Sequence, residues 1–218
     1  MNKGTGRRLS KILLSFCGAA FLWWITDSAA SLPERARDLG IPFDGKAGKR
    51  NAITDVAGVE VGFATLISDG TAPNGRTYSV RTGVTAILPR GRTNSKVPAA
   101  WTTLNGNGEL TGTTWIEESG FLEGPVLFTN TFSVGVVRDA VRMWGEKRFP
   151  NQNPDVDDAF MLPVVGETWD GFLNDIKGHH VTSKDAEVAL DTAAGGHVAE
   201  GSVGGGTGMI CYDFKCGT

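Results

Sequence analysis

The chain has 218 residues, 40% of them apolar, so it is long enough to bury one sizeable core. Formal net charge is −3 and no Lys/Arg stripe runs through the body of the chain, which argues against nucleic acid, where phosphate neutralisation supplies most of the affinity. Its 30 glycines call for many turns and close backbone approaches and speak against a helical bundle.

The first element is not part of the fold. "GRRLSK" (6–11) is a basic n-region and "ILLSFCGAAFLWWI" (12–25) an apolar h-region, the pattern of a secretory signal. Ser28 and Ala30 supply the small −3 and −1 residues, so cleavage is expected after Ala30, leaving 31–218 as one domain that is periplasmic or secreted. The alternative, an uncleaved membrane anchor, is disfavoured because the apolar run falls short of the roughly 20 residues a span needs. Phe16 before Cys17 spoils a lipoprotein box. Removal takes away Lys3, Arg7, Arg8, Lys11 and Asp27 and moves net charge from −3 to −6.

Beyond it, "GVEVGFATLI" (58–67) and "GVTAILP" (83–89) read as strands, rich in β-branched residues and bounded by Gly and Pro, with the turn cluster "SDGTAPNGRT" between them. "PVLFTN" (125–130) is a short buried-type strand. "SVGVVRDAVRMW" follows with Val134, Val137, Val141 and Trp144 at helical spacing. "FMLPVVGE" (160–167) is a further buried strand. "TSKDAEVALDTAA" (182–194) opens with a Thr182 cap and Asp185 three residues on, then sets Ala186, Ala189, Leu190 and Ala193 on one face of a helix. "GTGMICYDF" (206–214) reads as a last strand. Mixed strands and helices with antiparallel hairpins give a layered α/β or α+β domain. The final "TGMICYDFKCGT" ends in mid-pattern on an apolar strand, which reads as a piece of a longer protein.

Cys211 and Cys216 are five residues apart and fall on opposite faces of a continuous strand, so a bridge between them requires a turn; two separate thiols are the simpler expectation. Metal chemistry lacks ligands at usable spacing. Adjacent His179 and His180 point apart on most backbones, His197 stands alone, and no paired Cys motif exists. "EGSVGGG" (200–206) misses a nucleophile elbow because Glu200 stands where the first Gly belongs, which leaves Ser202 a poor nucleophile. "GGGTG" (204–208) offers backbone N–H groups to a phosphate, but a strand-like Met209-Ile210-Cys211 follows it, so a close backbone approach is the better reading.

Glu167 is the remaining oddity. In "PVVGETWDG" (163–171) an apolar run ends on a carboxylate, which is costly unless a cation meets it. The cation is either one of the protein's own arginines or the ammonium of a ligand. Trp169, on the same face by period two, would supply an apolar or cation–π wall for an ammonium.

These strings resemble one family. "RARDLGIPFDGKAGKRNAITDVAGVEVG" (35–62), "RTGVTAILP" (81–89), "NGNGELTG" (105–112), "LPVVGETWDGFLND" (162–175) and "VAEGSVGGGTGMICYDFK" (198–215) are similar, in order, to the self-processing serine aminopeptidases. That family includes the L-aminopeptidase/D-amidase-esterases and the β-peptidyl aminopeptidases. The resemblance implies an αββα sandwich similar in layout to N-terminal-nucleophile hydrolases, of α+β class and incomplete in this chain. It also implies a precursor that cuts itself into α and β chains, and active homo-oligomers of αβ pairs. The freed N-terminal Ser of β is the nucleophile, with its α-amine as local base, and no metal or other cofactor takes part. The scissile bond, that Ser and the Asn of the oxyanion hole fall beyond Thr218, so the chain corresponds to most of an α chain, carries no catalytic residue of its own and is expected to be inactive alone.

Within the chain the resemblance assigns substrate binding to Glu167, as reader of the free amine, and to Trp169 beside it. Some members carry Tyr at the latter position; an indole has a donor N–H but no hydroxyl. The implied function is an exported aminopeptidase acting on peptides, amides or esters with L-, D- or β-amino acids at the N-terminus. The alternative is a non-catalytic periplasmic binding module for amine-bearing ligands, which would keep Glu167 and need no Ser.

Overall fold

The computed structural model describes residues 35–150 and 162–218. The expected signal segment 1–30, and Phe160 and Met161 of one expected strand, lie outside them. Eight strands and three α-helices occur among the described residues: β1 (Glu60–Thr71), β2 (Thr77–Leu88), β3 (Val97–Pro98), α1 (Thr113–Ser119), β4 (Phe121–Leu122), β5 (Val126–Asn130), α2 (Val134–Arg148), β6 (Val164–Thr168), α3 (Ser183–Thr192), β7 (Ile210–Cys211) and β8 (Phe214–Lys215).

The main sheet has the order β1-β2-β5-β6, antiparallel as far as β5 and parallel between β5 and β6. β1 and β2 pair over their full length, from Glu60 with Leu88 to Thr71 with Thr77. The hairpin therefore runs well into the expected turn cluster, leaving Ala72–Arg76 as the loop. Cross-strand packing explains the extension: Gly70 pairs with Tyr78, whose ring covers it so closely that a Cβ at Gly70 would lie 2.5 Å from the ring.

The face of the sheet bearing Val84, Ala86, Leu88, Leu127 and Val165 packs against α2 and α3, which contribute Val134, Val137, Ala140, Val141, Trp144, Ala186, Ala189, Leu190 and Ala193. The helical periodicities read from sequence thus point at one core. α3 opens as expected: the Thr182 N–H and hydroxyl both donate to Asp185 Oδ2, at 2.8 and 2.7 Å. It lies very close to β1, since a Cβ on Gly62 would stand 2.0 Å from the Ala189 carbonyl oxygen. A smaller cluster of Ile116, Leu122 and Val164 sits under α1, β3 and β4, none of which is marked in the sequence by length or period.

The expected final strand is broken. Tyr212 and Asp213 adopt φ of 49° and 62°, so β7 and β8 form a tight two-residue hairpin in place of a continuous strand. This supplies the turn that a Cys211–Cys216 bridge would require, but the two thiols are free. Burial and the neighbouring Cys216 push the Cys211 thiol up from its ordinary value.

Candidate functional site

β6 is built to hold Glu167 at a fixed place. On one side it pairs in parallel with β5, Glu167 opposite Thr129. On the other, residues 109–111 run beside it as an extra extended segment. Glu167 N donates to Glu109 O at 3.0 Å, Thr111 N to Val165 O at 3.0 Å, and Val165 N to Thr111 Oγ1 at 2.9 Å. A bridge between Leu110 and Gly166 completes the ladder. Gly166 lets Phe128 and Leu110 approach, as a Cβ there would meet them at 2.8 and 3.2 Å.

Glu167 is half-buried, and its carboxylate has neither an ion pair nor a side-chain hydrogen bond among the described residues. The sequence left two cations open for it; no arginine of the described residues fills that role. Gly108 borders the carboxylate instead, a Cβ at that position falling 3.6 Å from Oε1. A half-buried carboxylate without a protein partner is set to accept charge-assisted hydrogen bonds from an ammonium.

Trp169 sits one residue beyond the end of β6. Strand periodicity therefore does not set its direction. A local turn does, in which the indole lies over Gly171, where a Cβ would stand 2.6 Å from Cζ2. The residue is 44% exposed, and its carbonyl accepts from Ile210 N at 2.8 Å, tying the β7–β8 hairpin to the end of β6. Glu167 and Trp169 share one end of β6 but rest against different neighbours, Gly108 and Gly171.

Asp170, next in the chain, is fully buried. Asn174 Nδ2 donates to its Oδ1 at 3.1 Å, the Thr82 hydroxyl lies beside the carboxyl group, and Oδ2 has no partner among the described residues. Asn130 Nδ2 donates to Thr82 Oγ1 at 2.9 Å and Arg81 N to Asn174 Oδ1 at 3.1 Å, so a polar network crosses from β5 through β2 to the loop after β6. Burial pushes the Asp170 carboxyl above its ordinary value. Nothing in the sequence singles out Asp170 or Gly108, although both fall inside strings quoted for the resemblance.

The glycine run is structural. Gly204–Gly206 forms a 3₁₀ turn lying flat on the sheet face opposite the helices. Cβ atoms would meet Thr85 at 2.3 Å from Gly204 and the Phe128 carbonyl at 2.7 Å from Gly205. Its N–H groups are already used: Gly204 donates to Thr65 Oγ1 at 2.9 Å, Gly205 to Thr85 Oγ1 at 3.1 Å and Gly206 to Thr218 Oγ1 at 3.1 Å. A phosphate cradle would need those donors free. Thr168 Oγ1 donates to Gly205 O at 2.8 Å, so the turn also braces the end of β6.

The histidines diverge as expected, His179 stacking on Phe132 and His180 on Tyr78. His180 Nε2 lies 3.1 Å from Asp175 Oδ2, whose other oxygen takes Arg76 Nη2 at 3.1 Å; together they hold the Asp175 carboxyl below its ordinary value.

Comparison with known proteins places this geometry. The family model "Peptidase family S58" matches residues 51–218. The chain is 54% identical over 197 residues to beta-peptidyl aminopeptidase BapA of Sphingosinicella microcystinivorans, covering 89% of this chain and 48% of that protein. It is 48% identical over 195 residues to the BapA of Sphingosinicella xenopeptidilytica, with 88% and 48% covered. Among solved structures, the L-aminopeptidase D-Ala-esterase/amidase of Ochrobactrum anthropi, described as a new variant of the Ntn hydrolase fold, superposes with a TM-score of 0.76 at 51% identity, covering 83% of this chain and 50% of that one. A Burkholderia sp. beta-aminopeptidase gives 0.74 at 48% identity, with 84% and 50% covered.

The chain belongs to peptidase family S58. It spans about half the length of the curated relatives it matches, and its fold is the α+β, Ntn-hydrolase-like class that the sequence implies.

Proposed function

We propose that this chain is the α-chain portion of an exported, self-processing serine aminopeptidase that releases N-terminal residues from peptides, amides or esters. The observation that carries the reading is the half-buried Glu167 carboxylate without a cation among the described residues, held at the end of β6 by backbone bonds on both sides. The names of its relatives, which are aminopeptidases, support it.

In this mechanism the substrate ammonium donates to Glu167, which fixes the amine at a set distance from the reacting carbonyl. An acylated amine brings no charge and leaves the carboxylate desolvated and unpaired, so the enzyme rejects internal peptide bonds. Trp169 walls the same end of the strand. The nucleophile is a Ser hydroxyl freed by self-cleavage, with its own α-amine as local base. It belongs to the part of the protein matching the half of the relatives that this chain does not span. Attack on the carbonyl forms an ester and expels the amine or alcohol; water then releases the amino acid. The active species is an oligomer of αβ pairs.

Two measurements test the reading. In the full-length enzyme Glu167→Gln should raise KM for free-amine substrates by about tenfold to a hundredfold, the worth of a charged hydrogen bond of about 1.5–3 kcal/mol; an unchanged KM would remove Glu167 from the amine site. An intact-mass spectrum of the protein from its own periplasm should show two chains, the second beginning with Ser. A single chain running from Ser31 to Thr218 would favour the binding module over the enzyme.

A further inference from the structure

We propose that Gly108 is a specificity-determining position of the amine site. By carrying no side chain it leaves room beside Glu167 Oε1 for the substituent on the substrate's amine-bearing carbon. The inference deepens the reading above and rests on Glu167 as the ammonium partner.

Three observations carry it. First, the backbone does not need glycine at 108. Its φ lies outside the left-handed region, unlike that of Gly112 at +74°. Second, packing does not need it either. A Cβ on Gly112 would stand 2.6 Å from the Leu162 carbonyl and one on Gly166 2.8 Å from Phe128, both severe clashes, whereas one on Gly108 meets only the Glu167 carboxylate, Oε1 at 3.6 Å and Cδ at 4.0 Å. That is ordinary contact, so alanine fits the fold. Third, the position is fixed. The Glu167 N–H bond to Glu109 O and the two bonds joining Thr111 to Val165 hold residues 109–111 against β6, which anchors Gly108 beside the carboxylate through its next neighbour in the chain.

A methyl group in that place fills one side of Oε1 while sparing the carboxylate, its charge and its backbone bonds. An ammonium on an unsubstituted carbon still reaches the oxygen from the open side. A branched carbon must put its substituent where the methyl now sits. The glycine is therefore explained by what must fit beside Glu167 and not by the chain's own conformation.

The experiment uses the full-length enzyme with Gly108→Ala, with Gly106→Ala as control because a Cβ at Gly106 meets nothing within 4 Å. Steady-state constants are measured for glycinamide and for both enantiomers of alaninamide and valinamide, alongside Glu167→Gln. Gly108→Ala should leave the melting temperature and the glycinamide constants close to wild type, and raise KM for the preferred valinamide enantiomer about tenfold relative to glycinamide. Gly106→Ala should change neither. Equal KM changes across the series, or none, while Glu167→Gln still raises KM, would overturn the role of Gly108 and leave the amine site standing. An unchanged KM in Glu167→Gln would overturn both.

Discussion

Asp170 concentrates the electrostatic cost of this site in one side chain. Burial raises its pKa above the ordinary 3.8, so over the interval between those two values the folded protein holds a proton that the unfolded chain has lost. Its contribution to stability is therefore greatest below 3.8 and is lost as pH rises through the raised value. Asp170→Asn keeps the shape but cannot ionise, so relative to wild type it should gain stability as pH rises above 3.8, read from urea midpoints taken across the acid range. Gly208 beside it behaves differently from Gly108. A Cβ there would stand 1.9 Å from the Arg81 carbonyl oxygen, so Gly208→Ala should destabilise by at least about 1–3 kcal/mol in the same assay. Sequence alone shows two glycines; the neighbours decide that one is needed for packing and the other is not.

Among the elements, α3 was the most legible, because cap, period and small face all agree. Thr182→Ala removes the hydroxyl donor to Asp185 and should cost about 1 kcal/mol by thermal or urea unfolding. The small face has a second purpose. Ala189 and Ala193 let α3 settle onto Gly62 of β1, so Gly62→Ala should cost about 1–3 kcal/mol or more by forcing the helix off the strand. The end of the chain was the least legible element. "MICYDF" carries a strand's composition, yet it folds as a two-residue hairpin with Tyr212 and Asp213 at positive φ, a conformation that Asp tolerates but that Tyr does not advertise. α1, β3 and β4 were equally hidden, being two to seven residues long and dependent on Ile116, Leu122 and Val164 meeting in space.

Across the whole molecule, residues far apart in the chain meet around the glycine turn. Arg35 donates through Nε and Nη2 to Glu200 Oε1, and through Nη1 to Arg50 O at 2.6 Å, with its side chain only 11% exposed. The start of the described chain is thereby joined to the segment that crosses the sheet. Arg35→Ala should cost about 1.5–3 kcal/mol and open residues 201–218 to limited proteolysis; a wild-type cleavage pattern would show that the glycine turn holds without this tie.

By itself the sequence determined α2 and α3, the four strands of the main sheet and the family resemblance, and it singled out Glu167 as a carboxylate in need of a partner. Each of these follows from local composition, from period, or from a motif read in order. Only tertiary structure decided that no arginine of the described residues meets Glu167, that Trp169 is aimed by a turn over Gly171, and that the glycine run spends its N–H groups on Thr65, Thr85 and Thr218. These depend on which side chains arrive from distant strands. A one-dimensional pattern shows that a group has a charge or a donor to satisfy, and the packed molecule chooses its partner.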